Sequence, residues 1–124
     1  MSIVEPVQRQ LEAYNARDLE RFVAEYADDI RLFRMPSTEP AISGKVAFSD
    51  FYRGRFSVPA LHATILARIV LGNKVIDHER IRGIQENPIE AVAVYEVDSS
   101  LIRTVWFFYP GPSSVLSQAP KPTG

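Results

Sequence analysis

Few side chains in this chain combine the type and spacing needed for chemistry on a small molecule. His78, in "VIDHERI", has the titration range of a general base. Arg34, in "DIRLFRM", and Arg80 carry planar forked donors that match a carboxylate. Each also has a structural reading. His78 can be a buried histidine bonded to backbone or to a neighbouring carboxylate. Arg34 can sit at a rim beside Glu39, and Arg80 can be a surface arginine. Asp77 and Glu79 stand two apart, as an acid/base pair or a metal site would. With Arg68 across a hairpin and no further ligand, they read as a cross-strand charge ladder. The chain has no cysteine, which removes disulfides and thiolate zinc sites. Neither metal nor cofactor is expected.

The elements that must position these groups follow from periodicity. "VEPVQRQLEAYNARD" places Val4, Val7, Leu11 and Tyr14 on one helical face, with Gln10 a turn below Tyr14. "ARDLERFVAEYADD" gives a second short helix, N-capped by Asp18. "DIRLFRM" is a strand ended by Pro36, and "PSTEPAISG" a loop. "KVAFSDFYRGRF" is a third helix with Phe48, Phe51, Tyr52, Arg55 and Phe56 on one side. From His62 the period becomes two. "LHATILARIVL" and "VIDHERIRGI" flank the hairpin signal Gly72-Asn73, and "IEAVAVYEV" and "LIRTVWFFY" flank Asp98-Ser99-Ser100. The fold class is therefore α+β, with three N-terminal helices packed on a curved, mostly antiparallel sheet.

At 124 residues, 46% hydrophobic and 23% charged with a net charge of −1, the composition is that of one globular domain. Residues 1–109 form it, and 110–124, rich in Pro and Ser, are an irregular tail. No basic excess points to nucleic acid. No apolar run is long enough for a membrane span, and the first ten residues lack the pattern of a leader. A cytoplasmic location is the expectation.

The order of elements, together with "YNARDLERFVAEYADDIRLF", "EPAISGKVAFSDFYRGRF", "GNKVIDHERI" and "AVAVYEVDSSLIRTVWFF", resembles the NTF2-like superfamily, in its SnoaL-like and ketosteroid-isomerase-like branch. That resemblance implies a cone-shaped barrel with an apolar pocket at its open end, and a homodimer. It also implies where isomerase residues would fall: the proton-shuttling aspartate on Arg34, the oxyanion tyrosine on Gln10, and the oxyanion aspartate on Ala93. Only a supporting tyrosine matches, as Tyr52. A guanidinium stays protonated and cannot abstract a proton, so steroid Δ-isomerase activity by the Asp/Tyr/Asp route is not expected.

Alternation along the strands then divides the sheet faces. The wholly apolar set Leu61, Ala63, Ile65, Ala67 and Ile69 shares a face, through the hairpin, with Ile76, His78, Arg80 and Arg82. The resemblance makes this face the concave one, with Ala93, Tyr95, Val105, Phe107 and Tyr109. Gln10, Tyr14, Phe51 and Tyr52 close it from the helices, giving a ligand pocket of apolar walls with His78, Arg80 and Arg34 as polar points. On the outer face Leu66, Val70, Val92, Val94, Trp106 and Phe108 would be covered by a second copy. Three functions stay open. One is a binding module for a small apolar molecule with a carboxylate. Another is a hydrolase, lyase or isomerase acting on a small apolar metabolite, which needs Arg34 with Asp77 or Glu79 in the pocket and hence the opposite face assignment. The third is a dimeric scaffold whose aromatics fill the cone.

Overall fold

The computed structural model describes residues 2–111, so the expected tail lies outside the described residues beyond its first two. Three helices precede and interrupt six strands: α1 (Val4–Ala16), α2 (Leu19–Val23), β1 (Tyr26–Arg34), β2 (Ile42–Ser43), α3 (Lys45–Arg55), β3 (His62–Leu71), β4 (Lys74–Arg82), β5 (Ile89–Asp98) and β6 (Leu101–Phe108). The helix ends follow local chemistry. Arg17 closes α1 in the left-handed region (φ 53°), and Asp18 caps α2 by accepting a bond from the Arg21 amide at 3.2 Å. β2, inside the segment expected to be loop, is only two residues long. It pairs Ile42 with Leu32.

The strands form one sheet in the order β2-β1-β6-β5-β4-β3, with β1 and β6 parallel and the other neighbours antiparallel. The sheet is open, which corrects the expected barrel. β2 is too short to reach across to β3, and α1 occupies part of the β3 edge. There the Asn15 amide takes the place of a strand, donating to the Ala63 carbonyl at 3.0 Å and accepting from its N–H at 2.7 Å. The β5–β6 turn puts Ser99 and Ser100 at positive φ, as a two-residue hairpin with the right-handed strand twist requires. Gly83 (φ 97°) leaves β4 so close to Ala60 that a Cβ would sit 2.5 Å from its carbonyl.

Helices and sheet meet over a core dominated by rings. Phe22 and Phe48 stack at 5.7 Å between centroids, with Tyr26 and Tyr52 at 4.4 and 4.8 Å from Phe48. The sheet face beneath them is set by β4, where Val75, Asp77, Glu79 and Ile81 are buried and Ile76, His78 and Arg80 are not. This corrects the face assignment of β4. The register agrees: Val75, Asp77, Glu79 and Ile81 pair with Tyr95, Ala93, Ala91 and Ile89, all buried. The cause is a β-bulge in β3. Ile65 pairs with Glu79 and Ala67 with His78, which leaves Leu66 as an extra residue. Alternation therefore slips by one there. Ala63 and Ile65 face the core, whereas Ala67 and Ile69 face away with His78 and Ile76.

Burying Asp77 completely needs a counter-charge. Arg68 supplies it with two bonds, Nε to Oδ1 at 2.6 Å and a terminal nitrogen to Oδ2 at 2.9 Å, and holds Gln8 of α1 at 2.9 Å with the other nitrogen. Replacing Arg68 with Met strands the carboxylate, so we expect Arg68→Met to lose about 3–5 kcal/mol of stability in urea unfolding. A loss under about 1 kcal/mol would contradict the pairing.

Candidate functional site

Between α1, α3 and the inner sheet face lies a cavity with about 40 Å³ open to water-sized molecules, room for roughly two or three waters. Strand register brings its sheet-side walls together. Arg34 pairs with Phe107, and Phe107 with Ala93, so the guanidinium leaves the sheet on the same face as Tyr95 and Glu79. Helical spacing does the same for α3, where Phe51, Tyr52 and Arg55 reach the cavity within one turn of one another. Among the residues expected to bind a ligand, Gln10, Tyr14, Arg34, Phe51, Tyr52, Tyr95, Phe107 and Tyr109 line this cavity.

His78 and Arg80 do not. They lie on the opposite face, because they alternate with the buried Asp77 and Glu79. There they share Glu90, with His78 Nε2 2.8 Å from Oε1 and Arg80 donating to Oε2 at 3.2 Å. These contacts hold the Glu90 carboxyl below its ordinary range, His78 first and Arg80 second. The candidate general base is thus part of a surface ion cluster.

Two ionisable cavity residues lie outside the expected pocket set: Arg55, noted only as part of a helical face, and Glu79, read as part of a ladder and placed inside only by the hydrolase, lyase or isomerase reading. The Glu79 side chain is buried (6% exposed) and makes no hydrogen bond among the described residues. Burial pushes its pKa up to about 8. The nearby Asp77 pushes the same way, and Arg55 opposes. At neutral pH it is a carboxylic acid, able to donate. The Tyr14 hydroxyl is also buried without a hydrogen-bond partner among the described residues. Burial raises its pKa, and the neighbouring Arg55 guanidinium pulls it back, first by its charge and then as a nearby donor.

The Gln10 amide and the Tyr26 and Tyr95 hydroxyls are engaged. The Gln10 amide donates to the Val7 carbonyl at 3.0 Å and to the Tyr95 hydroxyl at 3.4 Å, and accepts from the Tyr26 hydroxyl at 2.8 Å. Burial raises Tyr26, Tyr52 and Tyr95 well clear of any titration near neutrality. At the mouth, the Phe51 ring takes two guanidinium groups, Arg34 at 5.4 Å and Arg55 at 5.2 Å from its centroid. Arg34 also acts on Tyr109, drawing its pKa down against the burial that raises it. The arrangement is an apolar, aromatic cleft with the Arg34 and Arg55 charges beside Phe51 and with tyrosine hydroxyls, Gln10 and the neutral Glu79 carboxyl inside. No cluster of metal-ligating side chains occurs among the described residues, nor any helix long and apolar enough to cross a membrane.

Helices over an open mixed sheet, with a cavity between the two layers, define an NTF2-like α+β protein. The chain belongs to the SnoaL-like family, whose domain profile matches residues 7–105. Among solved structures, an uncharacterised cystatin-fold protein from Novosphingobium aromaticivorans superposes with a TM-score of 0.80 at 24% identity, over 86% of this chain and 97% of that one. An NTF2-like protein of unknown function from Cytophaga hutchinsonii gives 0.76 at 11%, over 89% and 91%. A putative ketosteroid isomerase from Kribbella flavida gives 0.74 at 19%, over 98% and 90%. These likenesses concern the fold. No curated protein matches the chain at a significant level.

The Glu79 shift has a consequence for stability. The unfolded carboxyl ionises near 4.5 and the folded one near about 8, so between these values the folded state keeps a proton that the unfolded state has lost. Stability from this group is therefore lost as pH rises from about 4.5 to about 8, on the order of a few kcal/mol. We expect the melting temperature to fall over this window. In Glu79→Gln the same window should be nearly flat, and equal slopes in the two proteins would contradict the assignment.

Proposed function

We propose that this protein binds a small, largely apolar molecule that carries a carboxylate, in the cavity between α1, α3 and the sheet. The observation that carries the reading is the pair of guanidinium groups, Arg34 and Arg55, on either side of Phe51 at the mouth of an apolar cleft. Charge-assisted forked bonds to an anion suit that position. The neutral state of Glu79 supports it too, since an ionised carboxylate would repel an anionic guest. The cavity is narrow, so the fitting guest is short or enters as the mouth opens.

A thermal-shift comparison of small alkyl and aryl carboxylates with the matching neutral amides tests this reading. A ligand at about 100 times its Kd adds about 2.7 kcal/mol, several degrees in a domain of this size. We expect the acids to stabilise and the amides not to. The acid effect should disappear in an Arg34→Ala/Arg55→Ala double variant. Equal stabilisation by both sets, or an unchanged double variant, would contradict the reading.

A second reading, an enzyme acting by proton transfer on the same guest, is supported by Glu79. A pocket carboxyl titrating near about 8 can hold or release a proton at working pH. It takes the role first considered for His78.

The outer sheet face supports a homodimer. Ile69, Ile76, Val94, Trp106 and Phe33 form one apolar row across five paired strands, with Val92 and Phe108 in the next. Ile69 is 62% and Phe108 43% exposed. Leu66 is exposed at the bulge, and Val70 falls on the other face, beside Val75. A second copy related by a two-fold axis would cover the row and set the flanking His78, Arg80 and Glu90 against their own counterparts. Light scattering should give twice the chain mass, and Trp106→Lys should give the monomer. A monomeric wild-type protein at micromolar concentration would rule the dimer out.

A further inference from the structure

The two arginines at the cavity mouth carry like charges, and something must hold them together before a guest arrives. Arg34 ends β1 and Arg55 ends α3, yet their guanidinium carbons lie 5.4 and 5.2 Å from the centroid of one ring, that of Phe51. Like charges gathered in this way repel, and in a half-buried setting water screens them less than in the open. A carboxylate between them could offset the repulsion. No carboxylate lies within ion-pair distance of Arg55 among the described residues, and nearby acids are engaged by other arginines. Asp50 holds Arg53 at 2.7 Å, and Asp77 holds Arg68 at 2.6 Å.

What Arg34 and Arg55 share is the ring. The negative face of an aromatic ring attracts a guanidinium. Helical spacing brings Phe51 and Arg55 to one face of α3, four residues apart, whereas Arg53 turns to Asp50 in solvent. Packing then fixes the ring. Tyr52 meets it edge-on at 85° with centroids 5.0 Å apart, and Tyr52 is itself buried against Phe22 and Phe48 at 4.7 and 4.8 Å. Phe51 is therefore a post anchored in the aromatic core. A ring also differs from a counter-ion in what it leaves free. A carboxylate would consume the N–H donors of the fork, but a π face attracts the charge and leaves those donors to an incoming acid.

We infer that Phe51 is a positioning residue for acid recognition: its ring gathers Arg34 and Arg55 so that one carboxylate can bond to both. The inference rests on the acid-binding reading and adds to it the residue that makes the mouth selective. If Phe51 were only an apolar wall, a leucine of similar bulk would serve acids and neutral guests alike.

The test is an NMR titration of the full chain with acetate, butanoate and benzoate and with their amides. It compares the wild type, Phe51→Leu, and proteins carrying 4-fluoro- or 3,4,5-trifluorophenylalanine at position 51. Fluorine draws electrons from the ring face with little change of shape, so the series varies the cation–π attraction alone. We expect acid affinity to fall stepwise along the fluorinated series, and about tenfold in Phe51→Leu, the effect of losing two such contacts. Affinity for any amide that binds should stay as in the wild type. The fluorinated rings keep the packing on Tyr52, so the series reads the charge contact even if Phe51→Leu fails to fold. Acid binding indifferent to fluorination would overturn the positioning role and leave the acid-binding reading standing. A fall shared equally by acids and amides would make Phe51 an apolar wall and overturn the role as well. Binding of none of the acids to the wild type would overturn the role and the acid-binding reading together.

Discussion

β4 turns two carboxyls into the interior, and the structure accommodates them in two different ways. Asp77 is satisfied by the Arg68 fork, which also ties the sheet to Gln8 on α1. Glu79 has no such partner, and it stays inside by remaining protonated. The two are linked, because the Asp77 charge is one of the influences that keep Glu79 neutral. A core carboxylate fixed by arginine thus reinforces the burial that keeps a carboxyl at the cavity wall protonated. The ring cluster above them supplies the dry surroundings that make the arrangement hold.

Much of this was legible in the sequence. The three helices, both hairpins and the inward set on β5 and β6 follow from periodicity and turn residues, because β5 alternates throughout and β6 alternates from Thr104 onward, past the extra residue at Arg103. The faces of β3 and β4 were not legible, for one local reason. The bulge at Leu66 changes which β3 residues face the core, and the apolar run "ATILARIVL" gives no sign of it, since nearly every residue suits either face. Reading β4 from the β3 hairpin therefore turned His78 inward and Glu79 outward. Pairing β4 with β5 would have turned them the other way, with Ala93 beside Asp77 and Tyr95 beside Val75. The turn "GIQENP" does not reveal its own length, so that register was not fixed by sequence. The openness of the sheet was equally hidden, since it depends on the brevity of β2 and on Asn15 meeting the β3 edge.

Arg55 shows the opposite case. Its place four residues after Phe51 put both on one face of α3, and the sequence pattern contained that fact. The expected pocket took Phe51 and Tyr52 from that face and passed over Arg55. Once Arg34 and Phe107 are paired across β1 and β6, the two arginines converge on one ring from a strand and from a helix. The functional reading follows from that convergence and from the neutral carboxyl deeper inside. Both arginines are half-buried, so their charges stay in reach of water. The neutral Glu79 carboxyl lies deeper, on the cavity wall.

The central claim is that Glu79 is a neutral acid inside the fold. Carbon-13 NMR of the side-chain carboxyls, with Glu79→Gln to assign the signal, measures it directly. The account predicts a titration midpoint near about 8, far above the ordinary value of 4.5. A midpoint near 4.5 would mean that Glu79 is ionised at neutral pH, and the account of the cavity built on its proton would be wrong.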